Sequence, residues 1–197
     1  MTMKERMLAF IQGREHDRVP FVQYSNCGGP DAEIWKALGR GNMGLLKWLS
    51  PFRFEHPNCR VEWEKFEREG LDGVRTHIYT KSGEIMEEKL IEPVLRSAHI
   101  TRHFIQEKDD YSALLDYLKD CRVVDDEAAY EAEVARLGDD GLPHTSIGRT
   151  PFQQLWIQWV SIENLCLHLV DFPELMHELI SLLADITRRT FPLVKNC

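Results

Sequence analysis

The chain has 197 residues, and at roughly 150 residues per domain this length predicts a single domain spanning residues 1–197. Its 43% hydrophobic and 28% charged residues are typical of a globular protein and exclude a disordered or collagen-like chain. The 24 Lys and Arg residues are outnumbered by 32 Asp and Glu, and the net charge of -8 argues against nucleic acid as a partner.

The first elements predicted along the chain are a helix, a strand and a loop. Thr2 and Glu5 form a capping-box pattern ahead of apolar residues that recur at helical spacing. The mostly apolar segment 19–24 predicts a strand, and a Gly-rich loop follows over 25–30. The next expected elements are two short helices, over 31–38 and over 42–49.

The middle and the end of the chain predict a β-hairpin and several helices. Apolar and polar residues alternate around a Lys-Ser-Gly turn, which predicts the hairpin over 74–91, and a further extended stretch is expected over 97–105. A capping pattern with Pro173 predicts the start of a long helix that has an apolar stripe. The other predicted elements are a helix from Asp109 or Asp110, an acidic helix over 125–137, a strand over 142–147 and a helix over 161–170.

Cysteine usage and hydropathy predict a cytoplasmic protein. No apolar run approaches the roughly 18 residues of a membrane span, and charged side chains interrupt the N-terminal segment where a signal peptide would be apolar. The five cysteines are odd in number and widely spaced, as expected for reduced thiols. His99 and His103 are four residues apart in a segment predicted to be extended, where they merely share a face, so no metal site is predicted.

Candidate ligand-contacting residues follow two of the predicted strands. Tyr24, Asn26 and Cys27 supply a phenol, an amide and a thiol just past the first strand, although a plain Gly-rich turn is an equally good interpretation. His144 lies in the later strand and Arg149 follows it, which is where barrel enzymes place their chemistry. The alternative for His144, a buried histidine with a structural role, is the commoner case for a lone histidine.

Several short motifs occur in an order and spacing that are specific when taken together. Residues 3–8 are followed by Asp-Arg-Val-Pro over 17–20, and the turn at 80–84 reads Thr-Lys-Ser-Gly-Glu. The most telling motifs are Gly-Arg-Thr-Pro-Phe over 148–152, Ile-Glu-Asn over 162–164 and Asp-Phe-Pro-Glu over 171–174. Over most of its length the chain resembles the uroporphyrinogen decarboxylase superfamily of (β/α)8 barrels, whose hairpin turn has proline where this chain has Lys81.

The resemblance implies an α/β fold, namely the N-terminal half of a TIM-type (β/α)8 barrel with an inserted β-hairpin. Because such a barrel takes about 250 residues, the chain is expected to be truncated at its C-terminus and inactive alone. The exposed strand edges and the apolar inner face of a half-barrel are expected to drive self-association. Arg149 would hold an anionic group, His144 would transfer a proton, Asn26 would orient a small-molecule substrate, and Tyr24, Cys27 and Gln153 would complete the pocket.

Two departures separate the chain from true uroporphyrinogen decarboxylases. Ser25 and Gly29 stand where the family has the arginines that anchor the porphyrinogen carboxylates, and Ile157 stands where a tyrosine belongs. The resemblance therefore favours the branch that passes a methyl group between a corrinoid protein and a thiol or folate acceptor. Uroporphyrinogen decarboxylation in porphyrin biosynthesis and a non-catalytic half-barrel interaction module remain alternatives. No cofactor is expected within this chain, whereas zinc and a corrinoid protein are implied for a full-length parent.

Overall fold

The computed structural model describes residues 1–25, 31–94 and 97–195, which form a mixed α/β fold. The chain groups into two compact units. Unit 1 comprises Met1–Arg53, Asp125–Ile147 and Pro192–Cys197, and unit 2 comprises Phe54–Val124 and Gly148–Phe191. The single domain predicted from chain length stays a prediction, since two compact units can unfold as one cooperative structure.

Nine strands and seven α-helices make up the described part of the chain. The strands are β1 (Val22–Tyr24), β2 (Gly44–Trp48), β3 (Phe52–Glu55), β4 (Arg60–Arg68), β5 (Leu71–Thr80), β6 (Gly83–Ile91), β7 (Ala98–Arg102), β8 (Arg122–Asp125) and β9 (Gly141–His144). The helices are α1 (Met3–Ile11), α2 (Asp31–Leu38), α3 (Asp110–Asp120), α4 (Glu127–Leu137), α5 (Pro151–Gln154), α6 (Ile162–Asp171) and α7 (Pro173–Val194). A 3-10 turn spans Gly138–Asp140 and a π-helical turn spans Leu155–Trp159.

Unit 1 is built on a parallel sheet in the order β1-β2-β9. The strands predicted over 19–24 and 142–147 are confirmed, although both are shorter than predicted; they lie parallel in this sheet, and the predicted hairpin lies outside it. Helix α1 covers one face through an apolar cluster, and α2 and α4 cover the other. The first cluster contains Met3, Met7, Leu8, Leu46 and Leu142, and the second contains Ile34, Trp35, Met43, Leu45 and Leu137.

The helix predicted over 42–49 is wrong, because these residues form the central strand β2. Met43, Gly44 and Leu45 are buried with a helix on each side of the sheet, so apolar residues follow one another without alternation. A short apolar run of this kind has no periodicity that separates a strand from a helix. Gly44 allows α1 to pack close to β2, since a Cβ at this position would lie 2.7 Å from Cγ of Met3.

A buried arginine fixes the N-terminal segment of unit 1. The capping box of Thr2 and Glu5 begins α1 as the sequence predicts. One turn further on, Arg6 donates from Nε and Nη2 to the two carboxylate oxygens of Asp17, at 2.6 and 2.7 Å. These hydrogen bonds stabilise the ionised carboxylate and lower the pKa of Asp17 well below its usual range. The pair therefore links α1 to the segment that precedes β1.

We expect the Asp17→Asn variant to show this ion pair as a pH-dependent loss of stability. Because the pKa of Asp17 is lowered by folding, its stabilisation is present above the unfolded-state value of about 3.9 and is lost as the pH falls toward the folded-state pKa. The Tm of Asp17→Asn should thus lie below that of the wild type at pH 7 and approach it at acid pH. Thermal unfolding followed by circular dichroism across this range measures the difference, and Asp139→Asn, at an exposed site, is the control. A constant difference in Tm would contradict the assignment.

Unit 2 packs helices against one face of an antiparallel sheet in the order β4-β5-β6-β7. The predicted hairpin is confirmed as β5 and β6, which meet at Thr80 and Gly83, and the extended stretch at 97–105 is confirmed as β7. Strand β4 was not predicted, because its many charged residues are typical of a solvent-exposed segment and do not indicate a strand. The buried core combines Ile78, Ile85, Tyr111, Leu114, Leu165, Met176, Leu179 and Leu183.

The described strands do not close into a barrel. Besides the three-stranded and four-stranded sheets there is only the two-stranded sheet of β3 and β8 in the described part of the chain. The mixed α/β class predicted from the sequence is confirmed, while the half-barrel goes beyond what three parallel strands show. Among the described residues, no helix combines the length and hydropathy that a membrane span needs.

Candidate functional site

The carboxyl ends of the three parallel strands bring three aromatic side chains together. Tyr24 ends β1, Trp48 ends β2 and His144 ends β9. The His144 ring makes edge-on contacts with both neighbours, at centroid distances of 4.8 Å to Trp48 and 6.0 Å to Tyr24. Because Trp48 is in register with His144, and Tyr24 with Leu46, all three side chains project from the face that α1 covers further along. We call this group the aromatic rim.

The aromatic rim combines accessible ring surface with a buried polar atom. Trp48 is 56% exposed and Tyr24 is 48% exposed, so a ligand can reach both rings. Nδ1 of His144, by contrast, is buried and has no hydrogen-bond partner among the described residues. Buried polar atoms are nearly always paired, and an unpaired one in a native structure calls for an explanation. A ligand with a flat apolar part and one polar group would satisfy both features.

Trp48 was missed by the sequence reasoning, whereas Tyr24 and His144 were predicted. The missing signal was the strand itself: residues 44–48 form β2 and not a helix, so Trp48 is the last residue of a parallel strand and falls under the rule about strand ends that was applied to the other two. Parallel strands of α/β folds present ligand-binding side chains at their carboxyl ends. The error in secondary structure thus removed one member of the site.

The remaining predicted site residues are not part of the aromatic rim as described. Asn26 and Cys27 lie outside the described residues. Gln153 and Arg149 belong to unit 2, and both are exposed. Oε1 of Gln153 accepts hydrogen bonds from N and Oγ1 of Thr150, both at 3.1 Å, and completes the capping box that begins α5. The described contacts of Gln153 are therefore those of a helix cap.

Two buried titratable groups of unit 2, Glu88 and Tyr111, take part in structural contacts. The carboxylate of Glu88 accepts from Arg75 at 2.7 Å and from Arg68 at 2.6 Å, and these hydrogen bonds lower its pKa. In the core, the Tyr111 hydroxyl lies 2.8 Å from Nδ1 of His168, and burial raises the pKa of Tyr111. Glu88 is held by two arginines and the Tyr111 hydroxyl by His168, so the contacts of both groups are accounted for by structural roles.

Candidate metal ligands are dispersed in the described part of the chain. It contains no group of three or more His, Cys, Asp or Glu side chains that could hold a metal ion. The thiol of Cys59 is half-buried, and burial together with a hydrogen bond to Asp120 raises its pKa to about 11. At neutral pH this thiol is protonated, which removes it as a nucleophile.

Comparison of the chain with family models, with curated proteins and with solved structures gives no significant match. The interpretation of the aromatic rim therefore depends on its own geometry and on the motifs in the sequence.

Proposed function

We propose that the chain is the N-terminal part of a (β/α)-barrel enzyme of the uroporphyrinogen decarboxylase superfamily, and that the full-length enzyme transfers a methyl group between a corrinoid protein and a small thiol or folate acceptor. The observation that carries the proposal is the aromatic rim, which lies where barrel enzymes bind their substrates. Within the superfamily, the absence of the porphyrinogen-anchoring arginines favours methyl transfer over decarboxylation.

The layering of unit 1 supports the barrel. Its three parallel strands lie side by side in the order in which they occur along the chain, β1, β2 and β9, with β3–β8 inserted between β2 and β9 in the sequence. Helices α2 and α4, which precede β2 and β9, pack on the face opposite the aromatic rim. In a barrel these helices would lie outside and the aromatic rim would face the interior at the end where chemistry takes place, while α1 would close the opposite end of the same face.

The residues that carry the family resemblance have structural roles that account for their pattern. Arg6 in the first motif binds Asp17 in the second, so these two motifs form one contact. Thr80 Oγ1 donates to the carbonyl of Gly83 at 3.1 Å and accepts from the Ser82 amide at 3.2 Å, which closes the hairpin turn. The physical coupling of motif residues strengthens the case that the motifs belong together.

Substrate binding is proposed to involve the aromatic rim and its surroundings. Trp48 and Tyr24 would pack against the apolar part of the substrate, and His144 Nδ1 would hydrogen-bond to it or exchange a proton. In the longer enzyme, Asn26 and Cys27 would extend this surface. Arg149 is proposed to hold an anionic group. Ser25, at one of the lost arginine positions, donates its hydroxyl to Asp31 at 2.9 Å and supplies no charge for a porphyrinogen carboxylate.

Zinc and self-association belong to the same proposal. Zinc lowers the pKa of an acceptor thiol in thiol-accepting members, and it is proposed only for a longer protein that adds ligands to this chain. The chain by itself would be inactive and would self-associate through the outer edges of β1 and β9, which pair with no other described strand.

The test is an assay of the longer protein for methyl transfer from a methylated corrinoid and for carbon dioxide release from uroporphyrinogen. We expect methyl transfer only, and we expect His144→Ala to lower kcat about 100-fold because a positioned proton-transfer group is lost. Trp63→Ala, at a residue 71% exposed on β4, is the matched control and should leave kcat unchanged. Decarboxylation of the porphyrinogen, or unchanged kinetics in His144→Ala, would contradict the proposal.

A further inference from the structure

Unit 1 contains a cavity on the face of the parallel sheet opposite the aromatic rim. Its volume is about 310 Å³, within the range of small-molecule sites. Leu45 and Lys47 of β2 point into it, because they alternate along the strand with Leu46 and Trp48 on the other face. The walls come from α2, α4 and the following 3-10 turn, through Trp35, Arg40, Arg136 and Leu137. We call it the Lys47 cavity.

Lys47 is the cation of this cavity that forms no ion pair with a described residue. Arg40 pairs with Asp140 at 3.2 Å, and Arg136 pairs with Glu133 at 2.5 Å. The third acidic side chain of the wall, Asp31, accepts from the Ser25 hydroxyl. Lys47 is half-buried and forms no ion pair with any described residue. A partly desolvated ammonium without a counter-ion favours the binding of an anion.

One wall of the Lys47 cavity is apolar and is formed by Trp35, Leu45 and Leu137. The Trp35 ring is held in place by its Nε1, which donates to the carbonyl of Met43 at 3.2 Å, and by the Arg40 guanidinium, 4.5 Å from the ring centroid. Buried Leu45 and Leu137 pack with Trp35 in the same cluster. An immobilised indole beside leucines is a surface for a planar or aliphatic group.

We propose that the Lys47 cavity binds a small carboxylate that has a flat apolar body. The carboxylate pairs with the ammonium of Lys47, and the apolar body packs against Trp35 and Leu137. A single negative charge suits the site, because Arg40 and Arg136 already have carboxylate partners. This ligand site is separate from the aromatic rim and is not required by the proposed methyl transfer.

The test uses 3-phenylpropionate as the probe and 3-phenylpropanol, which has the same body without the charge, as its neutral counterpart. Each is titrated into the 197-residue chain while the indole N–H resonance of Trp35, assigned with Trp35→Phe, is followed by NMR. We expect the acid to bind about tenfold more tightly than the alcohol, and added salt to weaken only the acid.

Variants of two lysines test whether the acid binds at Lys47 or is attracted to basic side chains in general. Lys47→Met should weaken binding of the acid about tenfold and leave the alcohol unchanged, whereas Lys47→Arg should retain it. Lys36→Met, at an exposed residue of α2 that does not line the cavity, is the control. Equal affinity for acid and alcohol, wild-type affinity in Lys47→Met, or no shift of the Trp35 resonance with either probe would overturn the proposal. The comparison of acid and alcohol on the wild type decides the matter even if Lys47→Met fails to fold.

Discussion

Replacing Gly141 by alanine is expected to lower the free energy of unfolding by about 3 kcal/mol, although the change adds a single methyl group. Gly141 begins β9 and pairs in register with Leu45 of β2. Its backbone is extended, which any residue can adopt, so the effect does not come from conformational strain. It comes from space, because a Cβ at this position would fall on the backbone carbonyl oxygen of Leu45. Either β9 must move away from β2 or the ladder between them must break.

Gly41→Ala is the matched control for this variant. Gly41 belongs to the same unit, and a Cβ there would meet no atom within 4 Å, so the change should alter stability by no more than about 0.5 kcal/mol. Urea unfolding followed by circular dichroism measures both variants. Because β9 carries His144, Gly141→Ala should also disturb the aromatic rim. Equal stability of the two variants would show that the strands are farther apart than described.

Local signals predicted the starts of α1 and α7 correctly. The capping residue Thr2 begins α1, and Pro173 begins the long helix α7, because a cap or a first-turn proline acts within a few residues of its own position. The turn between β5 and β6 was likewise predicted from Gly83. Local signals of this kind did not predict strand β4, because an edge strand carries charged side chains at exposed positions and lacks an apolar stripe.

The aromatic rim shows where sequence reasoning about a site succeeds and where it fails. Tyr24 was predicted because it ends a strand and His144 because it lies in a strand shortly before Arg149, and a rule about strand ends needs no knowledge of distant contacts. Predicting Trp48 as a site residue required recognising β2 as a strand. The conformation of β2 depends on helices that pack on both faces of the sheet. The ion pair of Arg6 with Asp17 is similar: both residues were noted for their motifs, but their contact exists only in the folded chain.

The core of unit 2 allows an equally large effect to be tested at a site far along the sequence. Leu179 of α7 is completely buried, within the cluster that joins the helices to the antiparallel sheet. Leu179→Ala is expected to lower the free energy of unfolding by about 2–5 kcal/mol, because apolar contacts are lost and a cavity remains. Alanine is a strong helix former, so the loss reports packing rather than helix propensity. Leu167→Ala, at a residue of α6 that is 62% exposed, is the control and should change stability by less than about 0.5 kcal/mol.

Leu179→Ala and Gly141→Ala together test the single domain predicted from the length of the chain. The two substitutions lie in different units, yet the chain passes between these units several times, so that neither unit is a continuous segment. We therefore expect one cooperative transition in the wild type, shifted to lower denaturant by either substitution and identical by circular dichroism and tryptophan fluorescence. Two separate transitions, with Leu179→Ala shifting one and Gly141→Ala the other, would show that the units fold as independent domains.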